Sequence, residues 1–275
     1  MAPTILMAAP NGARKTRSDH PNLPVTVPQI IEEAVACQKV GAAMVHLHVR
    51  DQDQQHVLDS GLYTDVLSGI KEAIGRDLLV QITTEAVGRF NQQEQISCVK
   101  NVQPEAVSVA LREMMPEGGE IKGSEFYHWA QEALVHVQHI LYNAEDFKRF
   151  LFLIQKGSIP VNQPSLLFVL GRYASDNLGK VEELAPFLKI KQDPKTIDLG
   201  PWFVCAFGHS EAQCVSEAIK QGGHVRVGFE NNSHLRTGKE AISTAEIIEQ
   251  TRDDALAMGK TIATAQEARE LLGII

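Results

Sequence analysis

Residues 44–51 read MVHLHVRD, so His46, His48 and Arg50 alternate with Leu47 and Val49. Side chains in a strand repeat every two residues, which puts the two imidazoles and the guanidinium on one face and the apolar residues on the other. Same-face neighbours lie about 6–7 Å apart along a strand, near enough for both rings to turn toward one small ion. An imidazole is not cheaply buried without a partner. The pair therefore reads either as metal ligands or as hydrogen-bonded core histidines. A third ligand is offered by HVRVGFENN, where Glu230 follows an apolar run and Arg226 stands four residues earlier. Two histidines and a carboxylate with an open position make a catalytic Zn2+ set. They suit non-heme Fe2+ equally, so spacing leaves the metal open. The plain alternative for Glu230 is a capping or salt-bridging carboxylate.

Further polar groups end other apolar runs: Asn11 after the first, Thr83-Thr84-Glu85 after the third, Ser108 and Arg112 around the fourth. Glu85 is a candidate acid, base or hydrogen-bond acceptor, and His139 in VQHILY reads as a core histidine or a base. Gly208-His209-Ser210 opens a helical segment, where free N–H groups favour a phosphate, a weak signal shared by any capped helix.

These residues need elements to position them. Apolar runs recur at 4–9, 42–49, 78–84, 106–111, 134–142, 165–170, 202–207 and 224–229. Between and after them, apolar residues return at three- and four-residue spacing over 27–41, 62–75, 91–101, 125–133, 144–157, 177–190, 210–223 and 238–259,. Eight strands alternating with eight helices predict a (β/α)8 TIM barrel, a single domain over 1–275, with its site at the strand C-termini. Almost wholly apolar strands fit a parallel sheet covered on both faces. A doubly wound open sheet is the weaker alternative, because APNGARKTR stands where a G-x-G-x-x-G would follow the first strand,.

The chain has 275 residues and a formal net charge of −8, without a basic stripe, so no nucleic-acid partner is expected,. Four cysteines without a CxxC pair suit reduced thiols in the cytoplasm,. The first apolar run lacks a basic lead and is too short to span a bilayer, and no apolar segment reaches about 18 residues, so no membrane association is expected. The oily stretch FKRFLFLIQKG suggests a buried face and a homo-oligomer.

NGA at 11–13, NLPVT at 22–26, HLHVRD at 46–51, QITTEA at 81–86, VLG at 169–171 and VRVGFEN at 225–231 together resemble the beta-keto acid cleavage enzymes. The resemblance extends over nearly the whole chain. It implies a Zn-dependent barrel that takes a β-keto acid and acetyl-CoA to acetoacetate and a new CoA thioester, with metal on His46, His48 and Glu230. It further implies that Arg226 meets developing negative charge, that Thr83 and Thr84, with Asn11, Ser108 and Arg14, face substrate, and that Gly208 and Ser210 lie near the CoA phosphates. Two departures stand out. The family commonly has aspartate after the metal glutamate as a catalytic acid–base group, where this chain has Asn231, and an amide cannot take that proton. Arg14 replaces a frequent glutamate, which suggests a more anionic substrate or a subgroup with different chemistry. Glu85 or His139 is expected to supply the missing base. Two other readings are an amidohydrolase-like metal hydrolase, whose HxH lies on the first strand instead, and a metal-holding sensor that binds a β-keto acid without turnover.

Overall fold

A computed structural model describes residues 2–160 and 163–274. Ten strands occur among them: β1 (Leu6–Ala8), β2 (Met44–Leu47), β3 (Val49–Arg50), β4 (His56–Val57), β5 (Leu79–Thr83), β6 (Ala106–Ala110), β7 (His136–Leu141), β8 (Ser165–Leu170), β9 (Trp202–Ala206) and β10 (His224–Val227). Eight of them close a barrel in the order β1-β10-β9-β8-β7-β6-β5-β2, every pairing parallel. Each apolar run of the sequence contributes one barrel strand, and helices cross between them. The chain is a TIM barrel. β1 separates β2 from β10, so the two histidines and Glu230 arise one strand apart across β1.

Alternation along the strands divides the apolar residues into two bodies. Val45, Leu47, Val80, Ile82, Val107, Val109, Phe168 and Val204 face outward and pack against the helices. Ile5, Met7, Met44, Leu79, Leu167, Phe203 and Cys205 fill the barrel interior. Such inward layers make a barrel a packed core with a floor, so that only its mouth is open to ligands.

Several elements depart from the sequence reading. β2 ends at Leu47, and Val49–Arg50 pairs instead with His56–Val57 as a small antiparallel hairpin over the mouth. Arg50 therefore does not join the histidines. Its guanidinium donates to the carbonyls of Gln54, Asn11, Gly12 and Lys15 and pins the loop after β1 to the hairpin. The helix expected from 238 begins at Thr244, because the Ser243 hydroxyl caps it by accepting from the Glu246 N–H,. That expected from 177 is a short 3-10 turn, Val181–Glu183, followed by Leu184–Lys191. A further helix, Ala265–Leu272, lies beyond the predicted set and packs against the lower end of the barrel.

Candidate active site

His46 points from β2 into the barrel mouth, beside Met44 and above the interior apolar layer. Its Nδ1 meets Gln81 Oε1 at 2.9 Å. Gln81 on β5 in turn donates to Gln138 on β7 at 3.3 Å, and Gln138 donates to the Ser165 hydroxyl on β8 at 3.3 Å. This row of amides fixes which way Gln81 faces. Because its oxygen is turned to His46, the proton sits on Nδ1 and the Nε2 lone pair faces the mouth. Burial, with help from the nearby Arg226 charge, lowers the His46 pKa to about 4, so the ring is neutral, the form a metal ligand must have,. Burial likewise depresses His48, and His56 stands edge-on to it at a centroid separation of 4.8 Å.

The three candidate ligands meet. His46 and His48 bring their Nε2 atoms to 3.1 Å, and Glu230 Oε2 lies 3.5 Å from the first and 3.6 Å from the second. Glu230 Oε2 is buried without a hydrogen-bond partner among the described residues. A tetrahedral ion with ligands at ~2.0–2.1 Å sets them roughly 3.4 Å apart, so the observed spacing fits a single divalent cation. The oxygen is too far from either nitrogen for a good hydrogen bond, so the donor set gains more from an ion than from itself. Among the described residues this is the one cluster of histidine, cysteine or carboxylate ligands close enough to hold a metal.

Glu230 is held from all sides. Burial alone would raise its pKa, but Arg226, His46 and His48 outweigh that and hold it well below the usual carboxylate range. Arg226 on β10 donates to Glu230 Oε1 at 2.9 Å and reaches Cys205 Sγ at 3.4 Å. The Glu230 N–H donates to the Ala9 carbonyl, and Lys15 donates to the Phe229 carbonyl at 2.7 Å. Gly12 adopts φ +63°, and a Cβ there would stand 2.4 Å from Glu230 Cγ, so both the backbone sign and the space require glycine,.

A cavity opens above this cluster. His46, Arg226 and Glu230 line it, as do Thr83, Thr84, Glu85 and Arg14 of the expected set, while Ala110, Ile140, Val169, Tyr142 and Phe207 give it apolar walls. Glu85 is largely enclosed; burial, assisted by the Glu230 charge, raises its pKa despite Arg172 and Arg14. Thr83 accepts from the Glu85 N–H at 3.0 Å, and Thr84 donates to the Ser108 carbonyl at 3.1 Å.

The remaining expected residues stand elsewhere. Asn11 is wholly buried: its amide donates to the Pro24 and His48 carbonyls and accepts from the His48 N–H, so it fixes the His48 backbone. Ser108 shares a strand face with Ala110 but is buried and is not among the residues lining the cavity. Ser210 gives its hydroxyl to the Gly179 carbonyl, and Gly208 donates to the Asn231 carbonyl, both outside the cavity. Asn231 itself is buried with neither amide atom hydrogen-bonded among the described residues. His139 is a correction. Its neighbour Gln138 faces into the barrel, so His139 faces out, between Tyr127 and Phe150 at centroid separations of 5.3 and 4.5 Å,. Burial lowers its pKa to about 3, and it cannot reach the mouth.

Lys15, Arg172, Tyr142, Phe207 and the Gln81–Gln138 row escaped the sequence reading. The amides had a readable signal, since Gln81 and Gln138 interrupt apolar runs at inward positions. Arg172 sits in a loop without periodicity and had none.

A closed barrel with a cation-ready cluster at its mouth defines an enzyme of the class that works at strand C-termini. Residues 3–274 match the beta-keto acid cleavage enzyme model, and the chain belongs to that family. It is 30% identical to the 3-keto-5-aminohexanoate cleavage enzyme of Acetoanaerobium sticklandii, over 100% of this chain and 99% of the relative. It is also 25% identical to the 3-oxoadipate:acetyl-CoA acetyltransferase of Cupriavidus necator, over 99% and 95% respectively. The structure of ObcA with oxaloacetate superposes with a TM-score of 0.77 at 16% identity, covering 92% of this chain and 68% of that one, a likeness of fold. Family membership sets aside the hydrolase and sensor readings, and the HxH pair lies at the C-terminal end of β2, not on β1.

Proposed function

We propose that this chain condenses a β-keto acid with acetyl-CoA and cleaves the product to acetoacetate and a new CoA thioester, using Zn2+ held by His46, His48 and Glu230. The observation that carries this reading is the convergence of those three ligand atoms beneath a cationic cavity. A divalent cation there supplies Lewis acidity toward a ketone oxygen.

The protein's own groups do the rest. Thr83, whose hydroxyl proton is free among the described residues, and the Thr83–Thr84 backbone face the substrate carboxylate. Glu85 takes a proton from the carbon between ketone and carboxylate, in place of the absent aspartate at 231; burial has raised its pKa toward the range a base needs,. Arg226 stands over the charge that develops, with both the Glu230 pair and burial fixing its place,. The carbanion attacks the thioester carbonyl and releases CoA thiolate, which then attacks the original ketone. Breaking the carbon–carbon bond, with the proton held by Glu85 returned to the departing carbon, gives acetoacetate carrying the first two carbons of the keto acid. The apolar walls keep water from the thioester,. We take the enzyme to act in the cytoplasm as a homo-oligomer.

The test is direct. Purified, Zn-loaded protein mixed with acetyl-CoA and a panel of β-keto acids should release acetoacetate and a second CoA ester in equal amounts. No acetoacetate from any acid would overturn the reading.

A further inference from the structure

Arg172 follows the end of β8 and lines the same cavity as the metal cluster. Its side chain is only 16% exposed, yet among the described residues its guanidinium donates no hydrogen bond. Its one charged neighbour is Glu85, at 3.6 Å. The plane lies over the Phe207 ring at 5.3 Å, which fixes it in position without satisfying its donors,. Arg14 approaches the same Glu85 oxygen from the mouth at 3.9 Å, and it too makes no hydrogen bond among the described residues. One carboxylate is thus shared by two guanidiniums, both at distances beyond direct hydrogen bonding. The other cations of the cavity are engaged: Arg226 by Glu230 and Lys15 by the Phe229 carbonyl.

A partly enclosed guanidinium with idle donors is a receptor for an anion, and its planar fork suits a carboxylate. Building on the proposed reaction, we infer that Arg172, with Arg14 at the mouth, binds a second carboxylate at the far end of the substrate, so that the preferred substrates are β-keto dicarboxylic acids. The metal cluster and Arg226 take the β-keto acid end, while the apolar wall of Ile140 and Val169 runs alongside a short methylene spacer. A phosphate of CoA shares the chemistry. The enclosed position of Arg172, on the same cavity wall as the metal cluster, favours the smaller, substrate-borne group.

The test compares two β-keto acids of equal length, one ending in a carboxylate and the other in a methyl group, on wild type, Arg172→Met and Arg172→Lys. Wild type should favour the dicarboxylate in kcat/KM by about 100-fold, the effect of a charge-assisted bidentate contact. Arg172→Met should collapse that ratio through a raised keto-acid KM, and Arg172→Lys should restore part of it. Equal use of the two acids by wild type, or an unchanged ratio in Arg172→Met, overturns the inference. An Arg172→Met variant that raises the acetyl-CoA KM instead assigns the residue to a CoA phosphate and overturns it as well. If neither acid is turned over, the reaction reading falls, and calorimetric binding of the same pair to the wild type and Arg172→Met still decides the receptor: tighter dicarboxylate binding lost in the variant upholds it, and equal binding ends it.

Discussion

Gln81 illustrates how much of the site depends on a residue that never touches substrate. By accepting from His46 Nδ1 it aims the opposite lone pair at the mouth, and Gln138 keeps it from turning over. Outer-shell partners of this kind hold ligand orientation, and their loss costs about 10–100-fold in metal affinity. Gln81→Met should therefore weaken Zn2+ binding by that factor in a competitive chelator titration, with the fold retained. At Glu85 the change is chemical: Glu85→Gln keeps the shape and removes the base, and kcat should fall by about 10²–10⁴-fold with a smaller effect on KM in steady-state assays. Turnover at the wild-type rate would move the base elsewhere. The histidines and Glu230 were legible because polar groups at period two, or at the end of an apolar run, contradict burial. Asn11 misled because the end of a strand does not say whether an amide faces ligand or backbone; here it clamps His48.

At the scale of elements, the turn after β10 is the part that matters most. Glu211, the first residue of helix Glu211–Lys220, is buried and accepts from the Gly228 N–H at 3.2 Å and from Asn232 Nδ2 at 3.1 Å. It thereby ties both ends of the segment that carries Glu230. Asn232 cannot turn its amide over, because that amide also exchanges hydrogen bonds with the His234 backbone. A glutamine at 211 would set a donor against a donor at one of these contacts. Glu211→Gln should lower Zn2+ affinity and kcat together. Asn232→Ala should lower Zn2+ affinity as well, and the double variant should lose less than the two single losses combined; additive losses in the same titration would deny the tie. The alternating pattern made strands and helices readable, whereas Arg50 was misplaced because periodicity continues past Leu47 although the backbone leaves the barrel.

Across the whole molecule, a net charge of −8 surrounds a mouth whose cavity carries four cationic side chains and two carboxylates. A cleft with an excess of one sign in a low-dielectric wall focuses the field, which favours anionic ligands and makes their capture sensitive to salt. Burial also sets the acid limit of the fold. His136 and His224, both away from the metal cluster, have pKa values lowered to about 4, and His139 to about 3. The unfolded chain protonates these near 6.5 while the folded one does not, so their contribution is present above pH 6.5 and is lost as pH falls toward 4. Because buried carboxyls such as Glu211, raised to about 8, titrate with the opposite sign, the ring's share is read by comparison: His136→Gln should lose less Tm than wild type between pH 6.5 and 4.5 in thermal melts, and an identical loss would contradict the burial of that ring,. The alternation of elements announced the barrel, but nothing in it announced the closing helix Ala265–Leu272. That helix is anchored by Arg269, which forks onto Glu105 at 2.6 and 3.0 Å and donates to the Arg76 carbonyl, contacts with residues far away in the sequence that local periodicity does not carry.

The account turns on whether one ion is shared by ligands from β2 and from the turn after β10. Elemental analysis of purified protein after equilibrium dialysis against Zn2+, beside His46→Ala and Glu230→Ala, measures it. One zinc per wild-type chain and near-zero occupancy in both variants is the predicted result. A wild-type chain that holds no divalent metal, or variants that hold as much as the wild type, would contradict it.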